Sequence, residues 1–143
     1  MPKDKPSWAL VPEAEEMVAK LVAKYPEKFG HIDPARIGCC MIAGKEPPES
    51  QDWDCKMGGV KEPFLLFSKK TYVMWFFQCT WERYNKRQRC AMLFRQMIRI
   101  SEDFDGNMGK EDLQDCRCLV KAFGVGYMDN PNLPDLAEEK QVL

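Results

Sequence analysis

The sequence predicts a small α+β domain, because its apolar residues follow a helical pattern in some segments and a strand-like pattern in others. Apolar residues recur at helical spacing in three segments, over residues 12–25, 86–100 and 110–123. Short runs of β-branched, aromatic and small residues, typical of strands, lie between the first two, at 36–43 and 71–77. Strands and helices that are grouped along the chain are typical of the α+β class. We therefore predict an N-terminal helix, a short, mostly antiparallel sheet and two C-terminal helices.

The first helix has the clearest start and end signals. Pro12 stands near its first helical position, acidic residues follow in the first turn, and Pro26 ends it. The second begins after Asn85, a residue type that caps helices well, and the third ends at Gly124, a typical C-cap.

The remaining segments are less regular. Residues 44–62 are rich in Pro, Gly and acid, so we predict a long exposed loop that could form a contact surface. Residues 63–81 predict one or two strands, and the apolar run 64–77 within them offers a sheet edge for dimerisation. We divide the chain into a flexible arm (1–11), a folded domain (12–128) and a Pro- and acid-rich tail (129–143).

Composition narrows the class of protein. The 143 residues are 45% hydrophobic and 30% charged, with a net charge of −1. That balance disfavours a general nucleic-acid binder, which needs a large field of one sign. The seven cysteines are odd in number, and the N-terminal residues lack the apolar stretch of a signal peptide. The apolar runs are far shorter than the ~20 residues of a membrane span. We expect a cytoplasmic protein with reduced thiols and no membrane contact.

The second helix carries an unusual pair of cations. Arg95 and Arg99 stand four residues apart with Gln96 beside the first, in the stretch "RQMIR". This is the spacing of the zinc-binding motif H-E-x-x-H, in which two imidazoles on consecutive turns bind zinc and the glutamate acts as general base.

Several short blocks surround this stretch: "TYVMWFFQCTWE", "RQR", "MLFRQMIRI", "SEDFDG", "KEDLQDC" and "KAFGVGY". In their order and spacing over residues 71–128 they resemble a known family, the small phage metallopeptidases. The resemblance implies a minimal zincin-like fold. It also places the two helical zinc ligands at Arg95 and Arg99, the general base at Gln96 and the third ligand at Glu111.

These residues cannot perform the family's chemistry. A guanidinium is always protonated and has no lone pair for a metal, and an amide cannot accept a proton as a carboxylate does. We therefore expect no metal and no other cofactor. Our hypothesis is that Arg95 and Arg99 form a charge-assisted network with Glu111 where the zinc would sit. The alternative is that both arginines point to solvent.

A basic and aromatic segment precedes the same helix. It combines cations with two interleaved aromatic residues and is a candidate binding surface for nucleic acid or an acidic protein; its members are Arg83, Lys86, Arg87, Arg89, Trp81 and Tyr84. A solvated helix start is the simpler interpretation. Trp53, in the predicted loop, is a second candidate interface residue or a plug for the edge of the core.

The cysteines offer a weaker alternative site. Cys116 and Cys118 with Cys90 could bind a metal, but a C-x-C spacing on a helix points two sulfurs in different directions. We favour buried free thiols. A cysteine nucleophile paired with His31 has no supporting Asn or Asp.

Taken with the resemblance, these observations predict a non-catalytic, metallopeptidase-like phage or prophage protein. It would act by binding a bacterial host protein, as an inhibitor of host defence of the anti-CRISPR type; this step is an analogy. The alternatives are a nucleic-acid-contacting accessory protein that uses the basic residues 83–99, and a residual hydrolase with a rearranged metal or cysteine site.

Overall fold

The computed structural model describes residues 6–47, 53–109 and 116–143. Within them, helices and a four-stranded sheet form one α+β domain, as the sequence predicts. The strands are β1 (Ser7–Leu10), β2 (Ile37–Ala43), β3 (Lys56–Gly59) and β4 (Tyr72–Phe77). The helices are α1 (Pro12–Lys24), α2 (Pro26–Phe29), α3 (Gln78–Arg83), α4 (Lys86–Met97) and α5 (Arg117–Phe123). None of the described helices is long and apolar enough to cross a membrane.

The sheet has the strand order β1-β2-β4-β3 and is mixed. β2 and β4 pair in parallel at its centre, with Cys39 opposite Met74, and β1 and β3 pair antiparallel at the two edges. Side chains alternate between two faces, as they must in a strand. On β4, Tyr72, Met74 and Phe76 are buried, whereas Val73 and Trp75 on the other face are partly exposed.

The core lies on the first of these faces. α1 and α4 pack against each other, and their buried residues join those of the strands in a single cluster. Phe94 of α4 meets Tyr25 and Phe29 edge-on, with ring centroids 5.5 and 5.0 Å apart. α4 begins at a capping box in which the Asn85 side chain accepts the backbone N–H of Gln88 and the Gln88 side chain accepts that of Asn85.

Several sequence-based predictions at the periphery are wrong. Residues 7–10, assigned to a flexible arm, form the edge strand β1, and the predicted loop 44–62 contains β3. The segment 63–81 contains one strand, which agrees with the one or two strands predicted there; a 3₁₀ turn, Phe64–Leu66, precedes it and α3 follows it. β4 lies between two other strands, so the run 64–77 supplies no sheet edge. The predicted helix 86–100 ends at Met97, and residues 110–115 of the last predicted helix lie outside the described residues.

The C-terminal tail contributes apolar residues to the core. Leu133, Leu136 and Ala137 are almost completely buried. The start of α4 holds the tail in place, because Asn85 Nδ2 donates to the Pro131 carbonyl at 2.8 Å and Gln88 Nε2 donates to that of Met128 at 2.8 Å. α4 is therefore enclosed on most of its surface, and its residues 90–94, 96 and 97 are all buried.

The acidic turn that follows α4 packs against the C-terminal end of β3. Tyr72 anchors this turn: its hydroxyl donates to the Asn107 carbonyl at 2.6 Å and accepts the Gly106 N–H at 3.1 Å. Gly59 of β3 lies so close that a Cβ atom there would stand 1.8 Å from the Gly106 carbonyl oxygen.

Gly59→Ala is therefore predicted to destabilise the protein by at least about 2 kcal/mol, since neither backbone can move without breaking the Tyr72 contacts. Gly58→Ala is the matched control, because a Cβ there would meet the Trp75 ring at an ordinary 3.5 Å. Urea unfolding of the two variants measures the difference. Equal free energies of unfolding for the two variants would show that the turn does not pack closely against β3.

Candidate functional site

The C-terminal end of α4 and the turn that follows it carry the residues in the zinc-motif frame. Arg95 belongs to the last turn of the helix, and Arg99 lies in the turn that follows, because α4 ends at Met97. Among the contacts of the described residues, the Arg95 guanidinium meets Asp54 and the Arg99 guanidinium meets Gln96.

Arg95 is directed at a carboxylate. Its Nη1 atom lies 3.7 Å from Oδ1 of Asp54, and the two side chains are 18% and 11% exposed. The Tyr84 hydroxyl donates to the other oxygen of Asp54, at 3.1 Å. Asp54 immediately precedes Cys55 and β3, whereas Tyr84 ends α3. One carboxylate therefore links three separate parts of the chain.

Burial dominates the electrostatics of this cluster. It raises the pKa of Asp54 above the usual carboxyl range, although the Arg95 charge and the Tyr84 hydrogen bond both act to lower it. Burial, with the nearby Asp54 charge, also raises the pKa of Tyr84 to about 12. The neighbouring Cys55 thiol is fully buried, which holds its pKa well above the ordinary range. The thiol is therefore neutral and not a nucleophile at physiological pH.

Gln96 and Arg99 form a second, smaller contact. Gln96 is buried and its Oε1 accepts a hydrogen bond from Arg99 Nη1 at 3.2 Å. Arg99 Nε also donates to the Gly109 carbonyl at 3.2 Å. The side-chain amide of Gln96, at the general-base position, thus accepts a hydrogen bond from Arg99.

Glu111, the third residue of the predicted network, lies outside the described residues. The described carboxylate beside Arg95 is Asp54, which the sequence analysis missed. Asp54 comes from the segment predicted to be an exposed loop, 41 residues before Arg95 in the chain. The sequence signal that could have found it is its place between Trp53 and Cys55, two apolar neighbours that are unusual in a solvated loop.

The described residues of the motif frame do not fit a zinc ion. Zinc sites use thiolate, imidazole or carboxylate donors, and three protein ligands are the minimum in catalytic sites. Within the described residues there is no group of three or more His, Cys, Asp or Glu that could hold a metal. At the motif positions themselves, Arg95 and Arg99 are cations that repel a metal ion.

The fold and this site together define an α+β domain with the frame of a metallopeptidase helix and cationic residues at its ligand positions. A comparison with protein families is consistent with that description. The model of the family described as "Putative phage metallopeptidase" matches residues 6–139, and the chain belongs to this family. No curated protein and no solved structure matches the chain.

The basic and aromatic segment has a structural use. Trp81 and Tyr84 are buried, and Trp81 stacks on Phe76 with ring centroids 4.7 Å apart. The Arg89 guanidinium lies 4.5 Å from the Trp81 ring centroid, and its Nε donates to the Trp81 carbonyl at 2.8 Å.

Two further cations of this segment bind the chain's own tail. Lys86 Nζ lies 3.5 Å from Glu138 Oε1 and 3.7 Å from Asp135 Oδ2, and Arg87 Nη1 donates to the Leu133 carbonyl at 3.2 Å. The exposed Arg83 lies over the Tyr84 ring at 5.2 Å. Much of this positive charge is thus matched within the molecule.

Trp53 is half-buried and stacks on Phe77, with centroids 5.6 Å apart and Lys56 Nζ 5.1 Å from the Trp53 ring centroid. It covers the edge of the core and still presents an aromatic surface, so both predicted uses of this residue are compatible with its position.

The cysteine pair departs from the prediction. The Sγ atoms of Cys116 and Cys118 lie 3.3 Å apart, although a C-x-C spacing in a helix would separate them. The reason is that Cys116 is the N-cap of α5 and has extended backbone angles, so helical geometry does not apply to it. Cys90 instead meets Asp135, at 3.6 Å. Nε2 of His31 has no hydrogen-bond partner in the described part of the chain.

The link between Arg95 and Asp54 is testable by a double-mutant cycle. Asp54→Ala leaves a largely buried arginine without this carboxylate and is predicted to cost about 2 kcal/mol. Arg95→Met should cost a similar amount, and the double variant less than the sum, with a coupling of about 1–2 kcal/mol in urea unfolding.

The pair Arg89 and Glu13 is the matched control, since its atoms are 3.6 Å apart but Glu13 is 53% exposed. Its coupling should stay below about 1 kcal/mol. Equal coupling in both cycles would contradict the assignment of Arg95 and Asp54 as a buried pair.

The raised pKa of Asp54 also predicts a pH dependence. The folded protein keeps the Asp54 proton at pH values where the unfolded chain has lost it, so the free energy of unfolding falls as pH rises through the raised pKa. Asp54→Asn should remove this fall, measured by urea unfolding from about pH 3 to pH 8.

Asp105→Asn is the control of opposite sign. The Asn107 backbone N–H lowers the pKa of Asp105, so the contribution of this carboxylate is present at neutral pH and is lost as pH falls through its lowered pKa. A wild-type and an Asp54→Asn profile of the same shape would show that Asp54 is not the group responsible.

Proposed function

We propose that this member of the phage metallopeptidase family acts without zinc-dependent peptide hydrolysis, by binding a bacterial protein. The observation that carries the proposal is the contact of Arg95 with Asp54. A ligand position of the motif holds a cation, and that cation already has a carboxylate partner inside the protein.

Hydrolysis by a zinc enzyme requires a metal that activates water and a base that accepts its proton. The guanidinium groups of Arg95 and Arg99 offer neither, and Gln96 accepts a hydrogen bond from Arg99. Converting this arrangement to a metal site would require breaking both contacts as well as supplying ligands.

The bacterial partner is supported by the phage origin of the family. A phage product of this size that has no catalytic set must act through its surface, and inhibition of a host defence system, of the anti-CRISPR type, is the use we propose. The contact surface we favour is Trp53 with Lys56, because a half-exposed aromatic ring beside a cation is typical of interface anchors. It lies directly before and within β3, next to Asp54 in the chain.

The nucleic-acid alternative has less support. Lys86 and Arg87 bind the tail, and Arg89 lies on the Trp81 ring, so the positive charge of the segment is partly neutralised or covered. A rearranged cysteine site has equally little support, because burial raises the pKa of Cys39 and of Cys90 to about 12.

The non-catalytic part of the proposal is tested by metal content and hydrolysis. Purified protein incubated with excess zinc and then desalted should retain far less than one zinc per chain by elemental analysis. It should also leave a mixed library of unstructured peptides intact. A stoichiometric zinc together with zinc-dependent cleavage would overturn this part.

The binding part is tested by capture of a partner from bacterial lysate, followed by binding of the purified partner. Lys56→Glu should weaken that binding at least about tenfold, which corresponds to ~1.4 kcal/mol. Lys121→Glu makes the same charge change on the exposed surface of α5 and should have no effect. Equal binding by both variants would exclude the Trp53 and Lys56 surface.

A further inference from the structure

The strand β1 is an edge strand with an unusual composition. It has a strand neighbour on one side, β2, and all four of its residues are exposed. Trp8 is 60% exposed and Leu10 is 76% exposed. Edge strands of monomeric proteins usually carry a charge, a proline or a bulge that prevents pairing. Ser7–Leu10 contains no charge and no proline.

The backbone groups of Trp8 and Leu10 point away from β2. The Val11 N–H donates to the Cys39 carbonyl at 3.0 Å, so these two residues form a hydrogen-bonded pair of the antiparallel ladder. Such pairs alternate along the ladder with non-hydrogen-bonded ones. Trp8 and Leu10 therefore occupy non-hydrogen-bonded positions, and their N–H and C=O groups are directed outward from the sheet.

The opposite edge of the sheet is less available. Gly59 of β3 is in contact with the backbone of Gly106, which blocks that end of the strand. The other end begins with the charged Lys56. Among the described strands, β1 is thus the edge with an uncharged, unblocked ladder of donors and acceptors.

We propose that two copies of this chain pair antiparallel through β1 about a two-fold axis. The axis runs perpendicular to the sheet, so each exposed side chain of one copy must oppose one on the same face of the other. In the register we propose, Trp8 lies opposite Leu10 of the second copy, and Ala9 lies on the axis. Each Trp8–Leu10 pair exchanges two backbone hydrogen bonds and brings an indole against a leucine side chain.

Neighbouring registers form fewer backbone hydrogen bonds between the two strands. Trp8 opposite Trp8 places Leu10 opposite Pro6, which has no N–H to donate. Leu10 opposite Leu10 places Trp8 opposite Pro12, which has no N–H and already belongs to α1. The register with Trp8 opposite Leu10 is the one in which the outward backbone N–H and C=O groups of both residues have hydrogen-bond partners.

A second copy fits this edge better than a charged partner. The strand has no charged side chain to specify an oppositely charged one, and the net charge of −1 produces little repulsion between copies. Pairing of one four-residue strand makes a small interface, below the roughly 1,200 Å² of stable specific complexes. The dimer is consequently weak, with a Kd on the order of 10–100 µM.

Sedimentation velocity from about 5 to about 500 µM covers that range and should show a mass that doubles with concentration. Trp8→Lys should weaken association at least about tenfold. Phe67→Lys is the matched control, because Phe67 is also an exposed aromatic residue but lies outside the sheet, and it should leave association unchanged. A chain that stays monomeric, or a Trp8→Lys variant that associates normally, overturns the proposal; a foreign strand then becomes the better candidate for this edge.

Disulfide cross-linking tests the register even if Trp8→Lys impairs folding. In a Cys79→Ser background, which removes an exposed native thiol, Ala9→Cys places two thiols across the axis. The Cα atoms of such a pair are about 4.5 Å apart, within the range of a disulfide. Ala9→Cys should form a covalent dimer under mild oxidation and Trp8→Cys should not. The reverse result would exclude the proposed register.

Discussion

The contact between the Arg95 guanidinium and the Asp54 carboxylate is the constraint around which the site is organised. It joins the end of α4 to the segment that enters β3, and the Tyr84 hydroxyl adds the end of α3 to the same carboxylate. A catalytic zinc would hold such elements together through its ligands. An ion pair supplies a weaker link, because the desolvation of two charges offsets much of their attraction.

The packing around α4 compensates for the weaker link. The helix packs against α1, its start is bonded to the C-terminal tail, and seven of its residues between positions 90 and 97 are buried. Gln88 and Asn85 bind the tail through its backbone carbonyls. The cations at the start of α4 also hold the tail against the helix, since Lys86 binds acidic groups of the tail. The basic segment is therefore mainly part of the folded structure.

The sequence was most informative where a local signal decides the structure. The start of α1 at Pro12, the cap at Asn85 and the C-cap at Gly124 are all confirmed, because each depends on residues that are adjacent in the chain. β1, β3 and the buried tail were missed, because each is stabilised by partners far away in sequence. A four-residue strand such as Lys56–Gly59, with two glycines, has no strand pattern of its own and exists because β4 pairs with it.

The same distinction between local signals and distant partners applies to the candidate site. The spacing of Arg95, Gln96 and Arg99 matched the zinc-motif frame, and the resemblance of several blocks over residues 71–128 indicated the family. The chemistry of arginine excluded Arg95 and Arg99 as zinc ligands. Asp54 could not be predicted as the partner of Arg95, since no local pattern links positions 54 and 95. The end of α4 at Met97 was equally unpredictable, and it is the reason that the two arginines contact different groups.

The most direct measurement is a crystal structure of the protein grown with excess zinc, with anomalous data collected at the zinc edge. The account predicts an Arg95 guanidinium against Asp54 and no anomalous peak beside residues 95, 96 and 99. A zinc peak about 2.0–2.3 Å from two or more side-chain atoms of α4 and its following turn, with Arg95 displaced from Asp54, would contradict it.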